Sequence, residues 1–392
     1  MSDPSDTAEA PTQPTQETTQ AVGPARWLGS VLSAGFALAV VGLLAVTVAG
    51  RVDAAPPAWL AAVVTFLPYQ YAVGLGMGFA VWTMVPDRRL PPVGLAVLLL
   101  TGAGLWGPAW RARGSAGEGD AVRVRVLSWN LRRMWGGPDD GGDAKRCVVD
   151  LVRTRRPEVL ALMEVSRENT DWLARELDLS CVHHTYRDSS SPRHGGVATC
   201  TRGERWSLGK GAGQRFVDHE DWYFLQSEVR GPAVFNLLAV HLSPYDYAAK
   251  RLRSGVAELA RGEAATLAKL GRSGREVFKG QSDQAAALLD RVERFRDPVV
   301  LAGDFNSTRD AALHVALRRR LVDTWEQGGM GFGGTIRFAD WLPLRIDYIY
   351  ATHDFGVRGA QVLPSGCSDH RPVLADLVLA RSTLTPPPQE AR

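Results

Sequence analysis

Cysteine is scarce in this 392-residue chain, and over the first 113 positions so is charge. The four cysteines, Cys147, Cys181, Cys200 and Cys367, form no C-x-x-C pair. That argues against a structural zinc site and against a disulfide-dense scaffold. Residues 1–113 hold six basic and six acidic side chains, leaving 39 and 36 for 114–392. The net charge of +3 therefore sits in the second part and is too small to mark a nucleic-acid binder by itself. Sequence repeats are lacking, and a collagen-like composition is excluded. Residues 1–24 contain no aromatic side chain and are rich in Thr, Gln, Pro, Ala and Glu, a mix that cannot bury enough apolar surface to fold. Residues 1–25 are expected to be a disordered cytoplasmic tail, and 382–392 a second one.

What is plentiful is uncharged apolar sequence. Residues 27–50, 54–86 and 90–110 contain no Asp, Glu, Lys or Arg. A helix needs about 20 apolar residues to cross a bilayer. Three transmembrane helices are expected within 26–110, over about 27–50, 57–85 and 90–110, with Pro68 as the kink site of the second. Trp27, Trp59, Trp82, Trp106 and Trp110 fall near the ends, where aromatic belts form. The first run is too long for the core of a cleaved signal peptide. Arg26, Arg88 and Arg89 would flank one side, and Arg51, Arg111 and Arg113 the other, so charge does not choose the orientation. An odd number of spans puts the tail and the large domain on opposite sides.

Residues 111–121 read as a Gly/Ser/Ala linker, and a water-soluble domain occupies 122–381. Val122 to Val126 alternates as a half-buried strand. VLALMEV (159–165), VFNLLAVHL (234–242), VVLAGDF (299–305), RIDYIYA (345–351) and HRPVLADLVLA (370–380) read as strands. Residues 181–187 and 196–202 read as a hairpin, in which Cys181 and Cys200 are candidate disulfide partners if the domain lies outside the cytoplasm. Helices are expected over 143–156 and 284–296. The mixture predicts an α/β core with helices outside.

Several apolar strands end in polar residues: Asn130, Glu164, His241, Asp304 with Asn306, Asp347, and Ser368-Asp369-His370. A carboxylate in an apolar strand must be paired, metal-bound or at an open strand end. Carboxylates and asparagines together make a hard oxygen-rich site, suited to Mg²⁺ or Mn²⁺. Histidines beside them could move protons or balance phosphate charge. Such a set serves metal-assisted hydrolysis of a phosphate ester. Singly each signal has a plainer reading: Asp304 as a turn former, His241 as a core residue, Asp347 in an ion pair with Arg345 or Arg371.

In order, WN, ME, VHLS, GDFN, RIDYIY and SDHRPV resemble the endonuclease/exonuclease/phosphatase superfamily, over about residues 122–380. The resemblance implies a DNase-I-like four-layer sandwich, two mixed β-sheets flanked by helices. It implies Glu164 as principal metal ligand with Asn130 beside it and Asp369 at or near the metal. Asp304 would align or deprotonate the attacking water, and Asn306 would bond the phosphoryl oxygens. His370 would contact the scissile phosphate, oriented by Asp347, and His241 would be a general acid for the leaving group. Tyr186 and Arg187 are polar contacts by the same resemblance, ahead of His183, His184 and His194.

Two features depart from the pattern. Met163 stands where a Gln usually precedes the metal-binding Glu. Residues 245–280 form a long insert with eight basic and four acidic side chains, a solvated excursion or a basic lid.

The superfamily acts on many phosphoesters, so membership does not fix the substrate. Three helices followed by this domain resemble bacterial membrane proteins associated with teicoplanin resistance. That likeness implies a multi-pass plasma-membrane protein with an extracytoplasmic catalytic domain, and a lipid-linked polyprenyl phosphate or pyrophosphate as substrate. The alternative is a membrane-associated Mg²⁺-dependent nuclease, with nucleic acid as partner.

Overall fold

The computed structural model describes residues 24–53, 56–85, 90–107, 121–132, 141–186, 195–203, 205–209, 211–216, 219–243 and 265–380. Residues 1–23 of the first expected tail, the whole second tail, the linker up to residue 120, Arg187, His194 and residues 245–264 of the basic insert lie outside them, while residues 24 and 25, expected in the tail, begin the first helix.

The first part is helical: α1 (Pro24–Val52), α2 (Ala58–Thr65), α3 (Leu67–Met84) and α4 (Leu90–Trp106). Within α1, Trp27–Val52 has a mean hydropathy of 2.4 and is the one described helix that alone is long and apolar enough to cross a membrane. The apolar run over 57–85, expected to kink at Pro68, is broken near there into two helices, α2 and α3, bent by 74°. Pro68 in the first turn of α3 supplies the cause: its ring clashes with the carbonyl four residues back and it has no N–H to give. The break falls at Phe66, whose N–H turns to Val63 O at 3.1 Å. α4 has 17 residues, about 25 Å of helix, somewhat short of the ~30 Å hydrocarbon core. α1, α3 and α4 pack through Phe36, Val40, Leu67, Tyr71, Leu98 and Trp106. Gly78 and Gly94 give Phe36 its room, since a Cβ on either would stand 2.6 Å or less from the ring.

The second part runs β1 (Ala121–Asn130), α5 (Gly141–Arg155), β2 (Val159–Ser166), α6 (Arg167–Leu177), β3 (Leu179–Thr185), β4 (Gly195–Arg202), β5 (Ser207–Leu208), β6 (Ala212–Phe216), β7 (His219–Arg230), β8 (Val234–His241) and α7 (Ala265–Glu293). It continues through β9 (Val299–Asp304), α8 (Ala312–Arg318), β10 (Val322–Asp323), α9 (Thr324–Gly328), β11 (Ile336–Phe338), β12 (Leu342–Leu344), β13 (Asp347–Ala351), β14 (Phe355–Val362) and β15 (Val373–Ala380). One sheet has the order β14-β15-β1-β2-β4-β3, and the other β10-β13-β9-β8-β7-β5 with β6 beside β7. β1 with β2, and β8 with β9, are parallel pairs in otherwise antiparallel sheets.

Alternation along β1 explains the layers. Val122, Val124 and Val126 enter the core between the sheets, with Val159, Leu237 and Ala302. Leu127 and Trp129 point the other way, onto Val148, Val152 and Leu173 of α5 and α6. On the far side, Leu238 and Leu301 meet Leu288 of α7 and Leu317 of α8. The expected four-layer α/β architecture is present. The helix expected at 284–296 is the second half of the longer α7, and the last strand starts at Val373, after Pro372, which has no N–H for a ladder.

Two disulfides close the domain. Cys181–Cys200 joins directly opposed residues of β3 and β4. Cys147–Cys367, 220 residues apart, ties α5 to the segment before His370 and was not expected. Thiol titration of the denatured, unreduced chain should find no free thiol, and four after reduction. Any thiol titrating before reduction contradicts the pairing.

Candidate active site

Strand registry assembles the site. In the second sheet His241 stands opposite Asp304, and Asp304 opposite Asp347, so three adjacent strands deliver three functional groups side by side. The first sheet contributes Asn130 and Glu164 from the ends of β1 and β2, with His370 from the loop before β15.

Glu164 sits where the β2–β4 register shifts, with a positive φ of 51°. Such a bulge re-aims one side chain and disfavours a non-glycine residue there, strain that points to function. Asn130 bridges the two sheets: its Nδ2 donates to Glu164 Oε1 at 3.2 Å and to Asp304 Oδ2 at 3.0 Å. Asp304 is fully buried, and its Oδ1 accepts the Asn306 N–H at 2.8 Å. Asn306, itself at φ 48°, gives its Nδ2 to Leu242 O at 2.9 Å. Gln281 of α7 fastens this corner, bonding Ser243 O at 2.6 Å and Asn306 O at 3.1 Å.

His370 and Asp347 form a buried pair, Nδ1 to Oδ2 at 2.9 Å, and His370 Nε2 lies 3.8 Å from Asp304 Oδ2. Burial alone would lower the His370 pKa. The charges of Asp347 and Asp304 outweigh it and lift the imidazole to about 10. Asp304 moves the other way from its usual state, raised by burial first and then by the Asp347 charge. The pair is thus an imidazolium among carboxylates. Because the folded-state pKa of His370 is raised, its stabilising effect is complete below the ordinary ~6.5 and is lost as pH rises toward 10. His370→Gln should therefore cost most stability near pH 6, and the gap to wild type should close by pH 10 in urea melts. A gap that is constant with pH contradicts this charge state.

His241 is neutral, because burial lowers its pKa to about 4 against the raising effect of Glu164. The Tyr186 hydroxyl, which accepts the Glu164 N–H at 3.0 Å, lies 2.6 Å from His241 Nδ1. His241 Nε2 faces Asp304 at 3.7 Å and Glu164 at 3.9 Å.

Asp369 stands at the rim and is paired with Arg132 at 3.0 Å. Its neighbour Ser368 donates to Asn130 O at 2.9 Å and accepts the His370 N–H at 3.1 Å. Arg345 does not pair with Asp347. It is buried against Asp323 and the Tyr348 ring, 4.3 Å away. His183 is a core residue, its Nε2 bonded to Val165 O at 3.0 Å, and burial lowers its pKa to about 4.

Two buried carboxylates, Asp304 and Asp347, meet at the His370 imidazolium with Glu164 across Asn130, and Asp347 Oδ1 is buried with no hydrogen-bond partner among the described residues. This oxygen-rich, net-negative set fits a hard divalent cation. Asp304, Asp347 and His370 offer ligand atoms within 4.8 Å of one another and could hold one. His370 Nδ1 is already committed to Asp347, however, which leaves Glu164, at the open strand end beside Asn130, the better-placed primary ligand. A bound cation would supply charge neutralisation for a phosphate. Asp304 is placed to orient or deprotonate a water, and His370 to stabilise phosphoryl oxygens.

Sequence reasoning missed the clamp on this loop from the helices. Asp310, four residues beyond Asn306, is buried and ion-paired with Arg51 at the end of α1. It also accepts the Trp106 indole N–H at 3.1 Å. Trp106, expected in an aromatic belt, is buried in this contact.

No curated protein matches the chain. Solved structures do. The endonuclease/exonuclease/phosphatase from Bacteroides vulgatus is 15% identical with TM-score 0.52, over 66% of this chain and 100% of that one. A family protein from Bacteroides thetaiotaomicron is 15% identical with TM-score 0.51, over 67% and 99%. The mannosyl-6-phosphatase of the same organism is 16% identical with TM-score 0.50, over 65% and 100%. At these identities the likeness shows the fold alone. The sequence itself carries the assignment: residues 127–370 match the Endonuclease/Exonuclease/phosphatase family, a family of hydrolytic phosphoesterases, and the chain belongs to it.

Proposed function

We propose that the protein is a membrane-anchored phosphohydrolase, Mg²⁺- or Mn²⁺-dependent, that cleaves a phosphoester or pyrophosphate of a lipid-linked polyprenyl carrier at the outer membrane surface. The observation that carries the reading is the direct join of apolar helices to the loop that follows Asp304 and Asn306, Arg51 and Trp106 on Asp310. An enzyme for a soluble phosphoester gains nothing from being held there, whereas a lipid substrate is concentrated at the site. An apolar groove of about 430 Å³ between α1 and α3, lined by Phe36, Val40, Leu43, Val73 and Met77, reaches Tyr69 near the domain. It has the chemistry to take a hydrocarbon chain. Two disulfides favour an oxidising compartment, hence an extracytoplasmic domain.

The test compares full-length protein with Asp304→Ala, in detergent with Mg²⁺, on undecaprenyl pyrophosphate and separately on plasmid DNA. Phosphate release that the variant lacks is the expected result. Nicking that the variant lacks, without phosphate release, replaces this reading with a nuclease.

A further inference from the structure

Outside α1 to α4, the exposed large apolar side chains among the described residues are Met330, Phe332, Phe338 and Trp341. All fall within residues 330–341, on or beside the β11–β12 hairpin. Trp341 is 73% exposed and Phe338 54%. Scattered exposed apolar residues need no explanation, but a cluster containing two phenylalanines and a tryptophan does. The tip of the hairpin is strained as well: Ala339 and Asp340 both have positive φ, 49° and 65°.

The position of the hairpin says what meets it. The Phe338 ring packs edge-on against Phe66, 5.0 Å between centroids, and Phe66 is the corner between α2 and α3. Tyr69, in the first turn of α3, donates its hydroxyl to Pro343 O. The cluster is therefore continuous with the end of the apolar helix bundle. Arg337, exposed on the same hairpin, adds a cation suited to anionic headgroups. Aromatic side chains with a nearby basic group are the composition of a membrane–water interface.

We propose that the β11–β12 hairpin is a second membrane-contacting surface, with Phe332, Phe338 and Trp341 entering the headgroup–acyl boundary of the bilayer that α1 crosses. The inference rests on the membrane part of the proposed function and not on its substrate. Its consequence is positional. Thr335, at the base of the hairpin, accepts the Asp347 N–H at 3.2 Å through Oγ1 and the Arg371 N–H at 2.7 Å through its carbonyl. A hairpin seated in lipid thus holds the Asp347–His370 pair close above the headgroups.

The disulfides leave the native chain without a reactive thiol, so single cysteines can be labelled. Trp341→Cys, carrying a polarity-sensitive fluorophore, is reconstituted full-length in phosphatidylglycerol/phosphatidylethanolamine vesicles with and without brominated lipid. Leu38→Cys, exposed on α1, reports the bilayer core, and Arg230→Cys reports water at the strand end opposite His241. The expected result is a blue shift and quenching at Trp341→Cys and Leu38→Cys, and neither at Arg230→Cys. If Leu38→Cys is quenched while Trp341→Cys matches Arg230→Cys, the hairpin proposal fails and the membrane reading stands. If Leu38→Cys is also unquenched, both fail. Phe332→Cys, read the same way, decides the matter should Trp341→Cys not fold.

Discussion

Asp304→Asn is expected to lower kcat by about 10²–10⁴-fold, the range for loss of a positioned acid–base group, and at the same time to raise the melting temperature. Asp304 touches every part of the centre: it accepts from Asn130 and the Asn306 backbone and lies within 4 Å of both histidines. Burial and the Asp347 charge lift its pKa to about 7. The sign of the stability effect follows. The unfolded chain releases this proton near pH 3.9 and the folded chain holds it longer, so from about pH 4 upward the buried carboxylate disfavours the fold, fully so above pH 7. Asparagine removes that cost, and each kcal/mol recovered is worth about 2–4 °C in a domain of this size. Melts at pH 8 in EDTA, beside initial rates with Mg²⁺, check both halves. A variant within tenfold of wild-type kcat removes Asp304 from the chemistry.

The second large effect is expected at Glu164. Glu164→Gln keeps the shape and the Asn130 contact while removing the charge that a cation needs. Loss of several kcal/mol of charge stabilisation predicts a rate lower by about 10²–10³-fold. The Mg²⁺ concentration for half-maximal rate should rise, and Mn²⁺ binding by calorimetry should weaken in parallel. EDTA should abolish wild-type activity and Mg²⁺ restore it. An unchanged metal dependence would move the cation to the Asp304, Asp347 and His370 group.

The centre was legible because its residues break a pattern. Glu164, His241, Asp304 and Asp347 interrupt or end apolar runs that would otherwise be plain core strands, and such interruptions carry a cost that demands a partner. Strand identity followed from the same runs. What could not be read was pairing across distance. Tyr186 is a polar residue at a hairpin end until the fold sets it between the Glu164 bulge and His241 from the other sheet. Cys147 and Cys367 meet only once α5 lies against the loop before His370. Gln281 is one residue among many on a polar helix face until Ser243 and Asn306 arrive beside it. Pro68 marked the break in the second apolar run, but not that α2 would turn 74° away and pack by the domain.

The contact of Asp310 with Arg51 and Trp106 makes the helices and the hydrolase a single inheritance. A buried carboxylate stripped of its cation costs about 3–5 kcal/mol. Removing Arg51 alone from the full chain would impose that cost on the loop that bears Asn306 and Asp310. Grafting the catalytic domain onto foreign helices that cover Asp310 would do the same unless they brought an arginine and an indole to the same place. Across relatives, Arg51, Trp106 and Asp310 should accordingly change together or not at all, although they lie in parts of the sequence that otherwise read as separate modules.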